Sequence, residues 1–179
     1  MIALVTGGAS CGKSAFAEQL CTQLGGELVY LAAMRPYGEE GRLRVKRHRV
    51  QRAGKGFRTV ECYEGLDVAL SGGHIDGATV LLECLGNVVA NELYTMQGDP
   101  IAPSVARGVI AMGVAELAKR CGHLVVVGNE VGSDGITYDA QTRAYQELVG
   151  TVACELAARA DLVAEVVAGV PHVIQGTAL

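Results

Sequence analysis

Residues 7–14 read GGASCGKS and lie between the apolar run IALVT (2–6) and AFAEQL (15–20). Gly7, four residues, then Gly12, Lys13 and Ser14 is the spacing of a phosphate-binding loop. Gly7, Gly8 and Gly12 free the backbone to turn, so that N–H groups around Ala9, Ser10 and Cys11 can face a phosphate chain. A helix starting near Lys13 adds its positive end. Lys13 then reaches the β- and γ-phosphates, and Ser14 offers its hydroxyl to Mg²⁺. Cys11 reads as a small residue whose backbone matters rather than as a reactive thiol. The loop sits between a strand and a helix, which is the context this motif requires.

From that loop the pattern continues as short β-type runs alternating with helical stretches. After IALVT and a helix over 13–24, ELVYLA (27–32) reads as a strand and 39–52 as a charged helix. FRTVE (57–61) reads as a short strand and TVLLE (79–83) as a third clear one, with a helix continuing to about 97. GDPIAP (98–103) breaks the chain before a helix from about 104 to 120. HLVVVG (123–128), a helix near 139–160 and LVAEVV (162–167) complete the series. Strand runs that are continuously apolar belong to strands covered on both faces, hence to a mostly parallel sheet. Alternation with helices predicts a three-layer α/β fold. No repeat or linker interrupts it, so 1–179 reads as one domain.

Composition narrows the class of function. No apolar run approaches the roughly 20 residues of a membrane span, and the start of the chain runs straight into the loop, which leaves no room for a signal peptide. Six widely spaced cysteines without a CxxC pair read as reduced thiols of a cytoplasmic protein, not as a metal site or disulfide framework. Net charge is −4, yet nine of the 15 Lys and Arg residues lie between Arg35 and Arg58, with only Glu39 and Glu40 among them. The remainder of the chain is acidic, which opposes nucleic-acid binding. A local basic patch suits a small polyanion.

Two acids follow strands, Glu83 after TVLL and Glu130 after HLVVVGN. Ligands of open α/β sheets bind beyond the carboxyl ends of the strands, so both are candidates to face the loop. Glu83 is the natural metal-side acid. In the basic helix Arg44, His48 and Arg52 share a face, flanked by Arg47 and Arg49. Like charges at that spacing repel, and a phosphate chain would supply the countercharge. A histidine among guanidinium groups is disfavoured as a cation, which would leave His48 a neutral nucleophile for phosphorus. The other histidines, 74, 123 and 172, lack such surroundings and read as surface or strand-end residues.

Assembled in this order, the residues resemble the bifunctional adenosylcobinamide kinase/adenosylcobinamide-phosphate guanylyltransferase family of cobalamin biosynthesis. LVTGGASCGKS is similar to its phosphate loop and RVKRHRVQR…FRTVE to its Arg/His segment. LLECLGNVVAN is similar to its Glu-Cys…Asn block and VGNEVG to its Asn-Glu-Val-Gly signature. The likeness covers nearly the whole chain. It departs at Phe57 for a Trp, Ala53 for a Pro, Gly86 for a Thr, Ala153 and Cys154 for an Asn-Gln pair, and SDGIT (133–137) for Met-Gly-x-x-Pro.

The resemblance implies a RecA-like P-loop fold and a two-step enzyme. A nucleoside triphosphate, ATP or GTP, phosphorylates the aminopropanol hydroxyl of the corrinoid. GMP from GTP is then carried to that phosphate on a guanylylated histidine, which the matching assigns to His48, and pyrophosphate leaves. The same matching lines the GTP site with Ala33, Met34 and Arg35, with Arg49, Val50, Gln51 and Arg52, and with Glu61 and Glu83. Mg²⁺ falls to Ser14 and Glu83. A homotrimer is implied as well. A P-loop transferase with one activity or another alcohol acceptor, and a GTP-driven switch that catalyses little, remain the other readings of these residues.

Overall fold

A computed structural model of the chain describes residues 1–63, 65–72, 75–95, 98–132 and 135–177. The elements are β1 (Ile2–Thr6), α1 (Lys13–Leu24), β2 (Leu28–Ala32), α2 (Gly38–Arg52), β3 (Phe57–Glu61), α3 (Leu66–Ser71) and β4 (Thr79–Glu83). There follow α4 (Leu85–Leu93), α5 (Pro103–Arg120), β5 (His123–Val127), α6 (Ala140–Ala157), β6 (Leu162–Val167) and β7 (Val170–Gln175).

One sheet holds all seven strands in the order β3-β2-β4-β5-β1-β6-β7. The first six are parallel, and only β7 runs antiparallel, against β6. The apolar runs have the expected cause. Leu4, Val29, Leu31, Val80, Leu82, Leu124 and Val126 enter the core on the α4–α5–α6 side. Their neighbours Ala3, Val5, Leu28, Tyr30, Leu81, Val125 and Val127 enter the core against α1. Successive strand residues face opposite layers, so strands covered on both sides need apolar residues throughout. The three-layer α/β fold expected from the sequence is the fold found.

Three local readings change. The helix after β4 ends at Leu93, because Tyr94 turns extended and bridges to Pro100. α6 ends at Ala157, where the chain must turn for Asp161 to donate its N–H to Ile2 O at the foot of the sheet. β7 and the six-residue α3 escape a periodicity reading: α3 is too short to show a period, and β7 is exposed along its whole length. Ala168 (φ 49°) and Gly169 (φ 83°) make the tight turn that returns β7 onto β6.

The site follows from strand order. β5 alone separates β1, which carries the loop, from β4, which carries Glu83. Both acids and the loop therefore emerge at the same edge, at the carboxyl ends of the parallel strands.

Candidate active site

The loop closes through its glycines. Gly7 has φ 145°, and a Cβ there would lie 2.5 Å from Val166 O. Ser10 adopts the left-handed region at φ 57°, and Gly12, at φ 98°, turns the chain into α1. The first turn of α1 carries no acid, and no side chain caps it. Its N–H groups are left to an anion. Lys13 is buried, with Nζ donating to Gly8 O at 2.8 Å, so its ammonium is folded back over the loop.

Glu83 ties the loop to the basic helix. Its Oε1 accepts the Ser14 hydroxyl at 2.6 Å and lies 3.5 Å from His48 Nδ1. Backbone bonding fixes the strand end, since Ala33 donates its N–H to Glu83 O. Burial first, and the Glu83 carboxylate second, push the Tyr30 phenol above its ordinary range, so Tyr30 stays protonated beside this acid.

α2 has almost no apolar face, and polar anchors dock it instead. The Arg52 guanidinium lies 3.3 Å from the centroid of the Tyr30 ring and is buried there. Glu18 on α1, fully buried, accepts from Lys55 Nζ and from Gln51 Nε2. Arg49 pairs with Glu61 at 3.1 Å. These contacts turn Arg44, Arg47, His48, Arg49 and Arg52 toward the loop.

The result is a cavity of about 680 Å³, within the range that holds a small ligand. Ala9, Ser10, Cys11, Gly12, Lys13 and Ser14 line it, as do Met34, His48, Arg49, Gln51, Arg52, Glu61 and Glu83. Other expected residues stand differently. Gly7 shapes the loop against Val166 O, and Ala33 is buried past the end of β2, where its carbonyl accepts from Asn91 Nδ2. Arg35 gives Nε and Nη2 to Tyr63 O and braces the segment after β3. Val50 is 67% exposed and its side chain lies off the cavity, because two residues along a helix from His48 is the opposite face. The guanidinium groups expected around His48 line the cavity with it, and its Nδ1 also lies 3.5 Å from the Glu83 carboxylate. Glu130 lies at the cavity mouth, with its N–H on Gly7 O. His74 lies outside the described residues, as do Ser133 and Asp134 of the SDGIT stretch.

Tyr30, Tyr63, Asn87 and Asn129 also line the cavity, and the sequence reading did not single them out. Asn129 stands just past the end of β5, so the strand-end rule that found the two acids would have found it too, whereas Asn87 lies in the first turn of α4. Tyr30 carried no signal, being one more apolar-run residue. Gly86 is explained by its neighbour: a Cβ there would lie 2.8 Å from the Tyr145 hydroxyl, which fills that space.

Three buried polar atoms lack hydrogen-bond partners among the described residues: His48 Nδ1, Arg52 Nη1 and Glu83 Oε2. Such atoms are costly unless a ligand satisfies them. All three belong to residues of this one cavity. A cationic donor, an imidazole and a carboxylate oxygen together suit a nucleotide with its metal. No cluster of three His, Cys, Asp or Glu ligands occurs among the described residues. The donors of Ser14 and Glu83 still fit Mg²⁺, which takes one or two protein oxygens and completes its shell with phosphates and water.

The family model for cobinamide kinase / cobinamide phosphate guanyltransferase matches residues 3–174. The bifunctional adenosylcobalamin biosynthesis protein CobU of Salmonella typhimurium is 32% identical over 178 residues, covering 95% of this chain and 97% of that protein. The bifunctional adenosylcobalamin biosynthesis protein CobP of Pseudomonas aeruginosa is 31% identical, with 98% of each covered. Among solved structures, an ATPase from the type III secretion system of pathogenic bacteria superposes with a TM-score of 0.52 at 13% identity. That match covers 92% of this chain and 50% of the ATPase, and it supports the P-loop fold.

Proposed function

The chain belongs to the cobinamide kinase / cobinamide phosphate guanyltransferase family, and we propose that both reactions of this bifunctional nucleotide-binding enzyme of cobalamin biosynthesis run in the one cavity. The observation that carries the reading is that Glu83 Oε1 meets both Ser14 of the phosphate loop and His48 of the basic helix.

In the kinase step the loop N–H groups and Lys13 hold the β- and γ-phosphates of ATP or GTP. The acceptor hydroxyl attacks the γ-phosphorus, a P–O bond forms, and the bond to the β-phosphate oxygen breaks as the hydroxyl loses its proton. Ser14 and Glu83 would hold Mg²⁺, which would supply neutralisation of the charge on the leaving diphosphate.

In the second step the Arg52 and Arg49 guanidinium groups face the α-phosphate of GTP. Nδ1 of His48 lies 3.5 Å from Glu83 Oε1, which leaves Nε2, on the other side of the ring, as the atom that attacks. The N–P bond forms at the α-phosphorus, and the bond to the β-phosphate oxygen breaks, releasing pyrophosphate. The phosphate of cobinamide phosphate then attacks the same phosphorus. A P–O–P link forms, the N–P bond breaks, and His48 is restored. A GTP-driven switch has no need of this histidine.

No helix among the described residues is long and apolar enough to cross a membrane. Six free cysteines support a reducing, cytoplasmic setting. Val105, Val109 and Met112 form an exposed stripe along α5 that would suit the homo-oligomer implied by the resemblance.

Protein incubated with Mg²⁺ and GTP should gain the mass of one GMP, labelled from the α-phosphate, in an acid-labile and base-stable bond. His48→Asn should lose the adduct and still bind GTP. Labelling from the γ-phosphate alone would leave only a kinase.

A further inference from the structure

The two walls of the cavity differ in charge. Arg44, Arg47, Arg49 and Arg52 of α2 stand on one side. Asn87, in the first turn of α4, and Asn129, just past the end of β5, line the cavity with uncharged amides. Both amides are held by one atom: Asn87 Nδ2 and Asn129 Nδ2 each donate to Cys84 Sγ at 3.2 Å. Cys84 is buried beneath both amides. With the nitrogens committed, neither Asn Oδ1 accepts a hydrogen bond among the described residues. Two acceptor oxygens are thus fixed beside Glu83.

A triphosphate gains nothing from that wall. It carries only acceptors on its phosphates, and the arginines opposite attract it. A neutral alcohol has the donor that the wall lacks.

We propose that Asn87 and Asn129 bind the alcohol acceptor of the kinase step through their Oδ1 atoms, with Cys84 Sγ as the positioning group that turns both amides. This rests on the bifunctional reading above and assigns the acceptor side of the same cavity. The hydroxyl donates to an Asn oxygen. Once phosphorylated the acceptor is an anion, so its phosphate moves to the arginines. The assignment therefore concerns the first step more than the second.

Three measurements on Asn87→Ala and Asn129→Ala test this: KM for cobinamide at saturating nucleotide, KM for GTP, and GMP uptake from GTP alone. At least one of the two variants should raise the cobinamide KM about tenfold, the loss expected of the one hydrogen bond that a hydroxyl can donate. GTP KM and GMP uptake should stay within about twofold, which also shows that the variants fold. Cys84→Ser, whose hydroxyl can accept both amides, should stay near wild type, and Cys84→Ala should raise the cobinamide KM as that Asn variant does. An unchanged cobinamide KM in both Asn variants, or a GTP KM raised by the same factor, overturns the assignment. Equal behaviour of the two Cys84 variants removes the positioning role. Wild-type protein that neither takes up GMP nor phosphorylates cobinamide would overturn the bifunctional reading, and this one with it.

Discussion

His48 Nδ1 lies 3.5 Å from Glu83 Oε1, the same oxygen that accepts the Ser14 hydroxyl at 2.6 Å. The nucleophile proposed for guanylyl transfer and the metal-side serine of the loop are thereby joined through one carboxylate. A change at Glu83 should be felt in both reactions. Glu83→Gln keeps the shape and removes the charge, so kcat for each step should fall by about 10²-fold or more while the nucleotide Kd changes only a few-fold. Steady-state kinetics beside fluorescent-nucleotide titration separates the two. Loss of binding equal to loss of rate would mean that Glu83 acts in the ground state.

Lys13 Nζ rests on Gly8 O and has no acidic partner among its hydrogen bonds. A triphosphate that draws the ammonium onto its β- and γ-oxygens exchanges a neutral acceptor for a charged one, worth roughly 1.5–3 kcal/mol. Lys13→Ala should weaken GTP binding at least about tenfold with little change in melting temperature. An unaltered Kd in a folded variant would remove the loop from the triphosphate site.

The stack of Arg52 on Tyr30 is the contact that seats the carboxyl end of α2. Tyr30→Phe keeps a ring beneath the guanidinium and should bind GTP almost as wild type. Tyr30→Leu removes the ring face and should cost about 0.5–2 kcal/mol in stability. It should also lower GMP uptake, because His48 is one turn away on the same helix. Thermal melts and adduct mass read the two effects. Equal uptake by the Phe and Leu variants would show that the stack is not needed to place His48.

Burial separates the cysteines. Cys21 and Cys62 are pushed up to about 12 and Cys121 to about 11, chiefly because burial disfavours the thiolate, and burial also raises Cys84. Cys154 is exposed and Cys11 partly so. Alkylation of native protein near pH 8 should therefore label Cys11 and Cys154, with all six labelled only after unfolding. The raised values also set a sign for stability. Above the ordinary thiol value of 9.0 the unfolded chain loses these protons while the folded one keeps them. Stability should fall as pH rises from there toward 12. Denaturant melts at pH values on either side of 9.0 would check it, and rising stability across that range would contradict it.

Much of this was legible in one dimension because its causes are local. The spacing from Gly7 to Ser14 dictates a turn that only glycine permits, and the uninterrupted Val/Leu runs can be satisfied only in strands covered on both faces. Those two facts determine a parallel α/β sheet with an anion site at its edge. The blocks around His48, Glu83 and Asn129 were likewise enough to indicate the family. Matching neighbouring letters ignores the rotation of a helix, which puts the Val50 side chain on the face away from His48. α3 and β7 were missed because each lacks a period, one through brevity and the other through exposure on every residue.

What only the tertiary structure decided is which groups meet. His48 and Glu83 are 35 positions apart, and Tyr30 and Arg52 lie on different elements. Their contacts depend on β5 alone standing between β1 and β4, and on the Glu18–Lys55 pair that docks α2 over the loop. Strand order and helix docking are set by long-range packing, to which no single stretch of sequence refers. For that reason the sequence identified a basic helix suited to a polyanion, while only the folded chain turned its histidine toward a carboxylate and two asparagines toward one buried sulfur.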